Sequence, residues 1–257
     1  MKTNDVSVRR NAESLRKYIE GLELAEPRDP KRGIAKHQAA DGTSPSAAAV
    51  DAGSQVSFVV GLTDQQKSDT LNSTLLAQLA ASKQVNRDSD PQAWYDQYIN
   101  VLSQVGWVLQ NFSFTQYQAS GSTFDVNTVV LEVLAEVATG DELSAATATL
   151  AALEANPSGD GATLLNTETH SASQGNFQIA VASNVNGTVI MKLGVFYFST
   201  TDTIVQILGF RFGSSSTSFF KDAEVINLNN DVYSLVRDAV IAKLGDKAQQ
   251  FVVDLDI

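Results

Sequence analysis

Glu168 and His170, two apart in the polar run Asn166–Gln174, are the residues whose types and spacing come nearest to chemistry. On an extended chain, side chains two apart point the same way, so the carboxylate could orient the imidazole as a general base near neutral pH. Such a pair would serve a hydrolase-type enzyme. The only other histidine, His37, falls in a stretch that reads as linker. A His-rich metal site within one chain is therefore excluded. Absence of cysteine removes disulfides, thiolate metal sites and cysteine nucleophiles together. Asp88-Ser89-Asp90 and Asp160-Gly161 lack the oxygen spacing of a calcium loop and read as cap and turn residues. No phosphate-binding glycine loop, dinucleotide fingerprint, zinc-protease motif or nucleophile elbow occurs. No metal or cofactor is expected.

A second candidate is steric. Asn186-Gly187 lies between two β-rich runs and suits a type I′ turn, which requires positive φ at both central residues. The resulting hairpin pairs Val181 with Lys192, Ile179 with Gly194 and Phe177 with Phe196. If Ser199–Asp202 then turns the chain into a third strand, Thr203–Phe212, Gly194 faces Gly209. Two adjacent glycines would open a groove beside Phe196 and Ile207 that could hold a small apolar, lipid-like ligand. The bland alternative fills that room with the protein's own helix or a core side chain.

The elements that position these residues follow from pattern. Alternation sorts Phe177, Ile179, Val181, Phe196, Phe198, Val205 and Ile207 onto one sheet face. Ala180, Val189, Met191, Leu193, Val195, Leu208 and Phe210 fall on the other. Both faces are apolar, so both must be covered. The expected fold is α+β, an antiparallel meander of three to four strands over about 175–228 with helices on both faces. Thr63–Gln66 is a capping box opening a helix to about Lys83, and Asp90-Pro91 opens another to about Leu109. Asn111–Tyr117 reads as a strand, 126–138 and 142–155 as helices, and 230–244 as a helix capped by Asn229 or Asn230 and closed by Gly245. A last helical turn is expected around 248–253.

At the amino end, Val8, Ala12, Leu15, Ile19 and Leu22 make an amphipathic helix ended by Pro27. The domain reading is an N-terminal helix over 1–27, a flexible linker over 28–57 and one α+β domain over 58–257, with a split near 158–165 as the alternative. Residues 1–36 carry nine basic and six acidic side chains; the remainder carries nine and 23. A formal net charge of −11 over 257 residues argues against nucleic acid as a partner. No apolar run reaches the roughly 20 residues of a membrane-spanning helix, and the first residues lack a secretory h-region. The chain is expected to be cytoplasmic, or exported without a classical signal. The functional expectation is a non-enzymatic binding or interaction protein, an effector or toxin-like factor that meets a protein partner through its N-terminal helix. The alternative is the hydrolase built on His170.

Overall fold

The computed structural model describes residues 3–28 and 47–255, with side chains from Ala12 onward. The central part of the expected linker, 29–46, lies outside the described residues. Helix α1 (Thr3–Gly21) is followed by a tight hairpin of β1 (Ala48–Asp51) and β2 (Ser54–Phe58). Helix α2 (Asp64–Gln84) starts at the Thr63–Gln66 capping box, and α3 (Pro91–Gln104) starts with Asp90 accepting from the Ala93 amide. Gly106, at φ +105°, ends α3 earlier than its apolar stripe suggests and turns the chain into β3 (Trp107–Val108). β4 (Thr115–Gln116) and β5 (Thr123–Asp125) are short, and Asp125 caps α4 (Val126–Leu134). Then come α5 (Asp141–Ala155) and α6 (Asp160–Thr169).

The long strands β6 (Gln174–Val185) and β7 (Thr188–Thr200) meet at Asn186-Gly187, with φ of +52° and +86°. Their pairing is the one the turn dictates: Val181 to Lys192, Ile179 to Gly194, Phe177 to Phe196. β8 (Arg211–Gly213) and β9 (Thr217–Leu228) precede α7 (Asn230–Leu244), which Asn229 caps and Gly245 closes. α8 (Lys247–Phe251) runs straight into β10 (Val252–Leu255), where only a helical turn was expected.

The architecture is mixed α and β, and its sheet is larger than a meander. Eight strands run in the order β10-β1-β2-β6-β7-β9-β3, with β4 also on β9, and β2 lies parallel to β6. A separate ribbon joins β5 to β8. Two corrections follow. The strand beside β7 is β9, so Gly194 faces Ala223 and not Gly209. Residues 203–210 form no strand because side-chain amides take their backbone donors: Ile207 N bonds Asn166 Oδ1 at 2.8 Å and Gly209 N bonds Asn127 Oδ1 at 3.1 Å. Second, residues 48–57, expected in a linker, are buried strands. Their small and polar side chains hide this, since Ser54 donates to Gln178 at 2.7 Å and the Ser57 and Thr149 hydroxyls pair at 2.8 Å.

The two sheet faces carry two apolar clusters. Ala180, Met191, Leu193 and Val195 pack with α1, α2, α3, α7 and α8; Phe177, Ile179, Val181, Phe196 and Phe198 pack with α4, α5 and α6. The sorting by alternation holds for β6 and β7. It fails for Leu208 and Phe210, which join Ile207 in the second cluster because their segment is not a strand. Helix α1 lies on the body, with Ile19 and Leu22 buried and Arg16 Nε bonded to the Leu235 carbonyl at 2.9 Å. Ile19 and Leu22 of its described apolar face are thus covered by the chain itself.

Candidate functional site

His170 and Glu168 do not form a dyad. Leu164, Leu165 and Thr169 bury one side of α6, a helix that the polar composition of 166–174 concealed. Glu168 therefore sits on a helix while His170 is its extended cap, and the i, i+2 alignment is lost. The Glu168 carboxylate accepts the Arg28 backbone amide at 3.1 Å. His170 Nδ1 is 3.0 Å from the Ser171 carbonyl, which makes Nδ1 the protonated nitrogen. Its Nε2 is buried without a partner among the described residues. Burial, with Arg28 adding to it, pushes this imidazole below its usual pKa. Among the described residues no hydroxyl bonds Nε2, so none of them is poised as a nucleophile for it.

The glycine groove is also closed. A Cβ on Gly194 would lie 3.0 Å from the Phe196 ring and 3.4 Å from Leu134 of α4, so core side chains already occupy that side. Phe196 stacks on Phe177 with centroids 4.8 Å apart. Gly209 lies in the loop before β8 at φ +71°, where a Cβ would meet the Glu154 carboxylate. Phe196 and Ile207 share the buried second cluster.

A concavity that holds a buried cation lies elsewhere. A cleft of about 520 Å³ opens where α2, the α2–α3 connection, the β1–β2 turn and the segment after α1 converge. Arg28, Asp88, Gln78, Arg87, Glu168 and Phe251 contribute to its wall. Arg28 and Asp88 close one side through a two-point ion pair at 2.9 and 3.1 Å. Arg87 is only 5% exposed. Its guanidinium lies 4.5 Å from the Trp94 ring centroid, and Nε donates to Asn176 Oδ1 at 2.7 Å. Nη2 reaches the Asn176 carbonyl at 3.0 Å, and Asn176 Nδ2 returns a bond to the Arg87 carbonyl. Gly53 lets the group seat, since a Cβ there would fall 2.6 Å from Nη1.

That cation is unusual in its surroundings. Burial, then the neighbouring Arg28 charge, pulls its pKa down to about 10, so it stays charged at neutral pH. Among the described residues no carboxylate bonds it; Glu168 and Asp88 act on it only through space. Beneath it, Gln78 ties the β1–β2 turn to α2, accepting from Gly53 N at 3.0 Å and donating to the Asp51 carbonyl at 2.9 Å. Arg87, Gln78 and Asp51 escape a sequence reading. Arg87 looks like a loop charge beside a cap, and Asp51 sits where composition suggests a linker. Among the described residues, no group of three or more His, Cys, Asp or Glu could hold a metal ion, and no helix is long and apolar enough to cross a membrane.

No family model matches the chain, and no curated protein matches it significantly. Several solved structures resemble it, three of which are given. One is a delta-endotoxin, 14% identical with a TM-score of 0.40 over 77% of this chain and 88% of that one. Another is the Evf virulence factor, 14% identical with a TM-score of 0.33 over 93% and 90%. The third is the activated Cyt2Ba monomer from Bacillus thuringiensis subsp. israelensis, 10% identical with a TM-score of 0.30 over 52% and 79%. At these scores the likeness says nothing about what this chain binds or does.

Proposed function

We propose that the chain is a non-enzymatic binding protein whose ligand is a small molecule carrying a carboxylate or phosphate-type anion, taken up by Arg87 in the cleft. One observation carries this reading. Arg87 is a nearly fully buried cation that no carboxylate of the described residues bonds, and a buried charge with no counter-charge in direct contact is costly. An anion in the cleft would supply it, and a volume of about 520 Å³ suits a small molecule. The lipid-like ligand expected from the paired glycines has no groove there. The effector or toxin-like part of the reading rests on a cysteine-free chain, which can change redox compartment without oxidative folding. Assaying the culture medium of producing cells tests that part: retention of all protein inside intact cells would contradict export.

Thermal unfolding with citrate or inorganic phosphate, at ionic strength matched with chloride, tests the cleft. Binding to the native state should raise Tm with saturation, by roughly 2–3 kcal/mol of apparent stability when ligand exceeds Kd about 100-fold. Arg87→Lys should reduce the effect, because a point charge cannot keep the two-nitrogen contact with Asn176. Equal shifts in both proteins, or none beyond chloride, would contradict the assignment. The hydrolase alternative predicts esterase or amidase activity lost in His170→Ala. The buried, unpartnered Nε2 disfavours it.

A further inference from the structure

Asp51 ends β1 directly below the cleft, and its carboxyl is fully buried. Oδ2 accepts the Thr74 hydroxyl of α2 at 2.5 Å, while Oδ1 has no partner among the described residues. The groups around it are neutral. From α2 come Thr74 and Gln78; from α3 comes the phenol of Tyr98, itself buried and unbonded; from the adjoining strands come Ser54 and Val252. Among the described residues no lysine, arginine or histidine acts on the carboxyl. Burial pushes its pKa up to about 8, with only the Thr74 bond opposing.

We propose that Asp51 is a proton-dependent latch: protonated, it seats the β1–β2 turn against α2, and its ionisation in alkaline solution loosens that seat and the cleft above it. The route is short. Asp51 is followed by Ala52 and Gly53; Ala52 and the Gln78 side chain, which holds Gly53 N, both line the cleft. A carboxylate formed with one oxygen unbonded and no cation beside it must either draw water into the α2 interface or move the turn. The latch stands on its own geometry; only its effect on ligand uptake rests on the binding reading.

The test uses the full chain. With aspartate carboxyls labelled by ¹³C, one carbon should titrate near pH 8 and be missing in Asp51→Asn. Amide exchange of 48–58 and 70–78, corrected for its intrinsic pH dependence, should rise about tenfold or more from about pH 7 to about pH 9.5, as one proton is lost per molecule. Asp51→Asn, an uncharged near-isostere, should show no such rise. A carboxyl titrating below about pH 6, or the same rise in the variant, overturns the latch; the reference values make such a titration ordinary for a carboxylate. Should the variant fail to fold, the wild-type titration and exchange decide alone. Phosphate uptake absent at every pH, with titration and exchange as expected, would remove the binding reading and leave the latch in place.

Discussion

Asp69 is nearly buried and receives a two-point bond from Arg237, at 2.8 and 2.7 Å, while Arg237 keeps 29% of its side chain in solvent. Removing either partner is therefore asymmetric. Arg237→Ala leaves a buried carboxylate with the Gln65 amide at 2.8 Å but no counter-charge and should cost about 3 kcal/mol, whereas Asp69→Asn frees a cation that can hydrate and should cost about half that. Urea unfolding of both variants measures the difference; equal losses would show that the pair is no more than a surface contact. Gly194→Ala tests the closed groove in the same way. With Phe196 3.0 Å away, the added methyl should cost about 1–3 kcal/mol by overpacking. A neutral or stabilising result would mean that room exists there after all. Asp51 adds a pH dependence whose sign is fixed by its pKa, about 8 when folded against the ordinary 3.8 of an aspartyl carboxyl. Between those limits the folded state keeps a proton that the unfolded state releases. Stability therefore falls as pH rises from about 4 to about 8 and levels off above, by a total on the order of 5 kcal/mol. Unfolding profiles of the wild type and Asp51→Asn should diverge over that window.

At the level of elements, legibility followed how local the determinants were. The β6–β7 register could be read because Asn186-Gly187 fixes a two-residue turn, and every pair follows from it. Helix starts at Thr63, Asp90 and Asn229 were legible for the same reason, since a cap is a short-range hydrogen bond. Partner choice was not. β9 displaces the expected third strand although Asp222 and Glu224 interrupt its apolar pattern, and 203–210 is held as a loop by Asn127 and Asn166, far away in sequence. The candidate site was illegible because its polar residues find their partners only on folding: Arg87 meets Asn176 and Trp94, and Asp51 meets Thr74. The inclusion of β1 between β10 and β2 changes one expectation outright. Deleting residues 1–50 takes out most of β1 and the buried Ile19, and should unfold the remainder. A truncated chain with native circular dichroism and cooperative melting would contradict this. Ile19→Ala alone should cost about 2–4 kcal/mol.

At the scale of the molecule, strands β6 and β7 contribute side chains to both apolar clusters, so neither cluster is complete without the shared sheet. One cooperative transition is expected. Limited proteolysis yielding two stable fragments cut near Ser158–Gly161 would point to two units instead. The central claim is that Arg87 holds an anion in the cleft, and the most direct measurement is side-chain NMR of the native protein titrated with citrate at constant ionic strength. Arg87 Nε–H should shift and saturate. The Trp94 indole N–H should follow, because its ring underlies the guanidinium and its Nε1 donates to Ser82, a cleft residue, at 2.9 Å. The Trp107 indole, bonded to Ser73 in the core, should stay still. Saturable shifts of Arg87 and Trp94 alone are the predicted result; no shift, or equal drift of all three signals, would contradict the account.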